Sequence, residues 1–318
     1  MKKTWMVIAA MFATLSVSAE TLLIEDFDYA QGELLTDHNW FTQWGTPATI
    51  TVTSGLEFDG FAGCGIGNAA VLDVAESQQL HKSFTEVTEG SVYVAFMFQP
   101  TIAYTEGYFF CLRDNKIDNV NYNFNARVFI NAFGQLGLTF ANNGNKVYNE
   151  QVIDAATTYL IVLKYTVNAG ANNDAVSLYL LDTFTDTEPS EPFIGPLTDA
   201  AAKDINPANI VLRSYSSDVW LVVDGLRVGT TWQDAVKAGD CPPNTALRPT
   251  LADNHNLYVQ NSQVHFEITE PNSSIALYDV TGRCLKQELL KEGQHALTLV
   301  KGSYILQINN QTQKFIID

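Results

Sequence analysis

The chain has 318 residues, of which 46% are hydrophobic and 17% are charged. This composition argues against disorder, and the length allows roughly two domains with large cores. Without Lys2 and Lys3, 16 basic and 35 acidic residues remain, a net charge of −19. Such an anionic surface disfavours nucleic acid and direct membrane binding, but it tolerates Ca²⁺ or neutral ligands such as glycans. Solubility alone would account for it equally well.

Residues 1–19 have the features of a secretory signal peptide. Lys2 and Lys3 form a basic start, residues 5–17 are a short apolar stretch, and the small residues "VSA" precede Glu20. The apolar stretch is too short to span a bilayer comfortably. We therefore expect an exported mature chain that begins at Glu20. The alternative is a buried N-terminal helix.

Residues 20–240 are predicted to form an all-β domain. Short segments with period-2 alternation follow one another, as expected of strands with one buried face. Turn-rich stretches connect them, and no amphipathic helix of three turns interrupts them. About a dozen strands without crossover helices favour an antiparallel jelly-roll sandwich. Clear examples are 91–99, 107–113, 126–132, 135–141, 159–167, 176–181, 209–215 and 219–228.

A proline-rich stretch, residues 241–250, is predicted to be a linker, because proline withholds a hydrogen-bond donor from any sheet. Residues 251–318 then show six or seven short strands, which fits a small immunoglobulin-like sandwich. The charge changes at the same place. Residues 20–250 carry 28 acidic and 11 basic groups, whereas residues 251–318 carry 7 and 5.

The C-terminal module resembles the C-terminal sorting domains of proteins exported by the type IX secretion system of Bacteroidetes. The resemblance rests on "LYDVTGR" (277–283), "GSYIL" (302–306) and the closing apolar strand. It implies recognition by the type IX machinery, passage through the periplasm of a Gram-negative bacterium, and delivery to the cell surface or medium, with possible removal of the tail. One departure is the final Asp318, where such domains often end on a basic residue. The alternative is a structural accessory module. The matching motif residues are Tyr278, Asp279, Gly282, Arg283, Gly302, Tyr304 and Lys314.

The large module resembles Bacteroidetes surface proteins that have a concanavalin A-like, laminin G-like jelly roll. The matching segments are residues 22–40, 60–72 and 222–236. In an antiparallel sandwich the first and last strands often pair, which would bring Glu25 and Asp28 beside Asp224. These carboxylates are the predicted ligands of a structural Ca²⁺, as hard cations prefer oxygen. Alternatively, Asp224 only accepts backbone hydrogen bonds at a turn and Asp28 caps a loop.

A catalytic site is not evident. Laminarinase-like members carry an alternating Glu-x-Asp-x-x-Glu strand, and no such run occurs here. The histidines form neither HxH nor HExxH, and no GxSxG is present. The "GFAGCGIGN" stretch (60–68) is not followed by a helix, so it does not predict a nucleotide loop. An enzyme with dispersed carboxylates remains an alternative.

Binding is the favoured function, with glycans or host matrix as the ligand class. Trp40 and Trp44 lie in "NWFTQWG", where exposed rings could stack on sugars while Asn39 and Gln43 bind hydroxyls. The alternative is that the tryptophans fold back over the core. Weaker candidates of the same kind are Tyr104, Tyr108, Tyr122 and Phe124. A purely structural or adhesive surface role is a further alternative.

The four cysteines match no zinc framework. Export permits disulfides, and a Cys64–Cys111 bridge is one possibility. Buried free thiols are equally compatible with the sequence.

Overall fold

A computed structural model describes residues 20–45, 50–72, 77–103, 105–115, 123–141, 144–155, 157–214, 219–241, 257–260, 263–269, 273–279, 283–309 and 311–317. The chain divides into two compact units, residues 1–242 and 243–318. The predicted signal peptide (1–19), most of the predicted linker (242–250), Tyr104, Tyr122 and Gly282 lie outside the described residues. Within those residues, no helix is long and apolar enough to span a membrane.

The first unit contains an eight-stranded antiparallel sheet. Its order is β13-β12-β11-β6-β15-β4-β3, and β1 also pairs with β15. The strands are β1 (Thr21–Glu25), β3 (Thr51–Ser54), β4 (Asn68–Leu72), β6 (Gly90–Ala103), β11 (Tyr159–Val167), β12 (Ala175–Leu181), β13 (Ile194–Leu197) and β15 (Val219–Gly229).

A seven-stranded antiparallel sheet lies against it, in the order β10-β9-β8-β7-β14-β5-β2. Its strands are β2 (Phe41–Trp44), β5 (Gln78–Ser83), β7 (Gly107–Arg113), β8 (Phe124–Ile130), β9 (Gln135–Ala141), β10 (Val147–Val152) and β14 (Asn209–Ser214). The unit is therefore an all-β jelly-roll sandwich of two antiparallel sheets, as predicted.

The main core lies between the two sheets. Successive side chains of a strand point to opposite faces, so each strand contributes every second residue to this core. In β6, Val94 and Phe96 point into it, whereas Ala95 and Met97 point to the outer side of the eight-stranded sheet. Both faces of this sheet are thus apolar.

A second apolar cluster covers that outer side. Helix α1 (Trp232–Ala235) packs there, and its N-terminal cap is Thr231, whose hydroxyl accepts a hydrogen bond from Asp234 N. Phe58 and Phe61 belong to the same cluster. The outer side of the eight-stranded sheet is therefore largely taken up by the protein itself.

The disulfide joins Cys64 to Cys241. The predicted Cys64–Cys111 bridge is wrong, because Cys111 is a buried free thiol. A nearby backbone hydrogen bond explains the pairing. Ala62 N donates to Lys237 O at 2.9 Å, so the last residues of the unit lie beside the 60–64 loop. Cys241, predicted as the first linker residue, is thus tied into the first unit.

The first and last strands of this unit pair antiparallel, as predicted. Thr21 lies opposite Gly229, and Glu25 lies opposite Leu226. This pairing places the Glu25–Asp28 segment at the same edge of the sandwich as the 224–227 segment.

The second unit consists of two antiparallel sheets around a separate core. One has the order β16-β17-β20 and the other β19-β18-β21-β22. The fourth strand of this unit (Cys284–Leu290) pairs with the third (Ser273–Asp279). In constant-type immunoglobulin domains, by contrast, the third and fourth strands lie in different sheets. The immunoglobulin-like assignment stays a prediction. The strands are β16 (Tyr258–Gln260), β17 (Gln263–Ile268), β18 (Ser273–Asp279), β19 (Cys284–Leu290), β20 (Gly293–Thr298), β21 (Gly302–Ile308) and β22 (Gln311–Ile317).

Candidate functional site

Glu25, a predicted calcium ligand, is buried and surrounded by protein donors. Its Oε1 accepts from Phe27 N at 2.8 Å, and its Oε2 accepts from Trp40 Nε1 at 3.2 Å. The Tyr29 hydroxyl donates to both oxygens, and Lys82 Nζ forms an ion pair with Oε2. Lys82 therefore already supplies a positive charge to this carboxylate.

Asp224 is also buried, and two backbone groups donate to it. Its Oδ2 accepts from Leu56 N at 2.7 Å, and its Oδ1 accepts from Gly225 N at 2.6 Å. Burial raises the pKa of Asp224 well above its ordinary range, and the charge of Asp26 adds to that rise. The carboxylate is thus bonded as the turn alternative describes.

Asp28 is exposed and lies in the same region as Asp224. A Cβ built on Gly67 would lie 3.2 Å from Asp28 N, and one on Gly55 would lie 3.3 Å from Asp224 Oδ2. Over the part of the chain that the structure describes, no group of three or more His, Cys, Asp or Glu side chains is arranged to hold a metal. The donor set therefore does not fit Ca²⁺ well, and the calcium staple stays a prediction.

Trp40 is not a sugar platform. Its side chain is 2% exposed, stacks on Phe27 at 5.9 Å and donates its indole N–H to Glu25. The alternative in which a tryptophan folds back over the core applies to this residue. Asn39, which precedes it, is exposed in a left-handed conformation with φ of 60°.

Trp44 and Gln43 lie on the edge strand β2 of the seven-stranded sheet. Trp44 is 52% exposed and Phe41 is 57% exposed. Phe41 lies opposite His81 of β5, and Trp44 lies opposite Gln79. Gln43 accepts a hydrogen bond from Arg113 Nη1 of β7. The edge strand therefore brings two exposed rings and an amide to the outer face of this sheet.

That outer face carries polar and aromatic side chains in place of an apolar cover. One row of residues that lie opposite each other crosses four neighbouring strands, in the order Phe41, His81, Val211 and Cys111. The residues that alternate with them, such as Leu80 and Leu212, point into the core. We call this surface the arginine face, and its central residues are Gln79, His81, Tyr108, Cys111, Arg113, Arg127, Phe129 and Arg213.

The centre of the arginine face is built around the ring of Tyr108. The Arg127 guanidinium carbon lies 4.5 Å from the ring centroid, and that of Arg213 lies 4.2 Å from it. Gln79 Nε2 donates to the Tyr108 hydroxyl at 3.0 Å, and Phe129 makes an edge contact with the ring at 5.7 Å. Cation–π contacts of this kind hold guanidinium groups in fixed positions.

Several buried polar atoms on this face have no hydrogen-bond partner among the described residues. They include Gln43 Nε2, His81 Nδ1 and Arg127 Nε. Buried polar atoms in folded proteins are nearly always hydrogen-bonded, so each exception requires an explanation. These atoms make the arginine face a candidate ligand site.

The electrostatics of the face are set by its arginines. Burial lowers the pKa of His81 from 6.5 to about 4, and the charge of Arg113 contributes to the decrease. Burial raises the pKa of Cys111 to about 12, against the opposing charges of the three arginines. Both groups are consequently neutral at pH 7, and neither offers a negative charge to the guanidinium groups.

A cleft on the outer side of the eight-stranded sheet is a weaker candidate. It is lined by Lys164, Tyr179, Glu188 and neighbouring prolines. Glu188 accepts from Lys164 Nζ at 2.8 Å and from the Tyr179 hydroxyl at 2.6 Å. Its charged groups thus satisfy one another.

The described residues of the predicted sorting motif have structural contacts in the second unit. Asp279 and Arg283 are bonded to each other: Arg283 N and Nε both donate to the Asp279 carboxylate at 3.1 Å. Tyr304 packs in the small core against Phe315, and its hydroxyl donates to Val300 O at 2.9 Å. The Tyr278 hydroxyl donates to Gln307 at 3.3 Å. A Cβ added at Gly302 would lie 3.3 Å from the Tyr304 hydroxyl. Lys314 is exposed.

Comparison with known proteins gives similarity of fold only. No family model matches the sequence, and no curated protein matches it. Solved structures similar to this chain include the globular domain of T. cruzi calreticulin, with 12% identity, 67% of this chain and 88% of that chain covered, and a TM-score of 0.39. The basic winged bean lectin with Tn-antigen is 11% identical, with 66% of this chain and 98% of the lectin chain covered, and a TM-score of 0.39. Cellulose induced protein Cip1 is 14% identical, with 66% of this chain and 97% of the Cip1 chain covered, and a TM-score of 0.41. At these values no binding residue is transferred to this chain.

Proposed function

We propose that this chain is an exported, non-catalytic glycan-binding protein and that its ligand binds on the arginine face. The observation that carries the proposal is the concentration of exposed rings and unsatisfied buried donors on one sheet surface. Aromatic rings stack on the apolar C–H faces of sugars, and amides and imidazoles bind the hydroxyls. Phe41 and Trp44 supply rings at the edge, while Gln43, Gln79 and His81 supply polar groups.

The test is binding of the full chain to a panel of neutral and acidic polysaccharides. We expect binding that weakens at least tenfold in a Phe41→Ala/Trp44→Ala double variant, because both rings are exposed on the edge strand. The matched control is Leu289→Ala, which removes a similarly exposed apolar side chain from the second unit. Binding to no glycan would overturn the proposal. Release of reducing ends from a bound polysaccharide would show an enzyme instead.

We also propose that the second unit is a type IX sorting domain that directs export through the periplasm to the cell surface or medium. The support is the resemblance of the Asp279–Arg283 turn and the Tyr304 strand to such domains. The test compares the full chain with one ending at Thr250, both expressed in a bacterium that has the type IX system. We expect the shortened chain to remain in the periplasm. Equal amounts of both chains outside the cell would contradict the proposal.

A further inference from the structure

We propose that the glycan bound on the arginine face is acidic and that Arg127 binds its carboxylate or sulfate group. This inference rests on the proposed function and adds the chemical class of the ligand. Arg127 lies on β8 and is 8% exposed. Its contacts are the rings of Tyr108 and Phe124, at 4.5 and 5.5 Å from the guanidinium carbon. No carboxylate among the described residues forms an ion pair with it.

Such an arrangement is costly without a ligand. Charged groups in protein interiors are normally paired, because removing a charge from water is energetically costly. Cation–π contacts with two rings offset part of that cost, yet they leave the hydrogen-bond capacity of Nε unused. An oxyanion at the outer edge of the guanidinium would supply the missing charge.

Two further guanidinium groups converge on the same place. Arg213 stacks on the same Tyr108 ring as Arg127, and its Nη1 donates to Tyr108 O at 3.0 Å. Arg113 reaches the same region, since all three charges act on the Cys111 thiol. Guanidinium groups bind carboxylate and sulfate oxygens through paired N–H donors. The region therefore carries concentrated positive charge, which favours an anionic ligand near Arg127.

The surroundings favour a saccharide over other anions. Phe129 lies beside the arginines, and the ring of Tyr148 lies over Gly137, where an added Cβ would be 2.5 Å from the tyrosine Cε1. The exposed rings of Phe41 and Trp44, at the edge of this face, suit the flat faces of sugar rings.

The experiment uses probe pairs that differ in charge. Calorimetry on the full chain compares polygalacturonate with its methyl ester, and dextran sulfate with dextran. We expect at least tenfold tighter binding to one or both charged members, and the two pairs distinguish a carboxylate from a sulfate. The rise in melting temperature of the wild-type chain with each charged probe gives a second measurement that needs no variant.

The variant is Arg127→Gln, with Lys301→Gln as the matched control, because Lys301 is an exposed cation of the second unit and its loss gives an equal charge change. We expect Arg127→Gln to lower affinity for the charged probe at least tenfold without lowering the melting temperature, and Lys301→Gln to change neither. Unchanged affinity in Arg127→Gln, or equal binding to charged and neutral members, would overturn the acidic-ligand inference but leave glycan binding intact. Equal binding to polyglutamate or DNA would overturn a saccharide-specific site. Binding to no polysaccharide would overturn the proposed function itself.

Discussion

Glu25 and Arg127 are both charged and almost fully buried, but their surroundings differ. Glu25 has Lys82 as its counter-ion and three further donors. Arg127 has aromatic rings and no carboxylate among the residues that the structure describes. Removing one partner of a buried ion pair is strongly destabilising, and a buried charge without a counter-ion costs stability. At the residue scale, this difference separates the structural carboxylate from the proposed binding residue.

The Glu25–Lys82 pair leads to a stability prediction. Lys82→Met leaves the Glu25 carboxylate buried without its counter-ion, so we expect the free energy of unfolding at pH 7 to fall by about 3 kcal/mol. Urea unfolding measures it. Lys146→Met, which breaks the exposed pair with Glu106, is the control and should cost less than about 1 kcal/mol. Similar small losses in both variants would refute a structural role for the Glu25 pair.

His81 leads to a pH prediction. Its pKa in the folded chain is about 4, below the 6.5 of an exposed imidazole, so the unfolded chain binds the additional proton first. The stability associated with neutral His81 is therefore full above pH 6.5 and is lost as the pH falls from 6.5 to about 4. We expect the free energy of unfolding of the wild type to exceed that of His81→Gln by a margin that decreases in that window. Urea unfolding at pH 7, 5.5 and 4.5 measures it. A constant difference would contradict the lowered pKa.

At the scale of elements, the sequence predicted the architecture better than the site. Alternating strands, short turns and the pairing of β1 with β15 follow from local patterns and from the rules of antiparallel sandwiches. The arginines could not be grouped in this way. Arg113, Arg127 and Arg213 lie on strands that become neighbours only in the order β8-β7-β14, and the last two are 86 positions apart. Such non-local pairing leaves no motif in the sequence.

The two tryptophans of "NWFTQWG" show the same limit. Trp40 and Trp44 are four positions apart, yet one is buried and the other is half-exposed. The register of β2 against β5 shifts between Thr42 and Trp44, which changes the side-chain alternation there. Tyr108 and Phe124 were weaker sequence candidates, and both lie on the arginine face. Their aromatic character in strands was the available signal.

The Cys64–Cys241 bond leads to a prediction for an element. It links residues 177 positions apart, so it removes much conformational freedom from the unfolded chain. We expect a Cys64→Ser/Cys241→Ser double variant to lose roughly 2–5 kcal/mol of unfolding free energy. Chemical denaturation measures the loss, with Cys284→Ser as the control because that thiol is free and exposed. No loss in the double variant would show that other contacts already fix the 60–64 loop.

At the scale of the whole molecule, the net charge and the proposed site have opposite signs. The chain carries −17 at pH 7, and composition alone therefore favoured neutral ligands. The arginine face gathers three guanidinium groups on one surface of the seven-stranded sheet. Average charge governs long-range encounter, while local charge governs the bound state. An acidic glycan would thus be repelled at a distance and attracted on contact.

That opposition leads to an expectation for the effect of salt. At 0.1 M salt, interactions between exposed charges more than about 10 Å apart are largely screened, whereas interactions of buried or partly buried groups are screened much less. Raising NaCl from 50 to 150 mM should therefore relieve repulsion by the anionic surface while leaving contacts with Arg127 largely intact. We expect the association rate of polygalacturonate to rise and its dissociation rate to change little, as measured by surface plasmon resonance. A protein that bound polyanions through exposed lysines would behave in the opposite way, because its association rate falls steeply with salt. A steep fall here would therefore place the bound anion on an exposed surface and not at the buried guanidinium of Arg127.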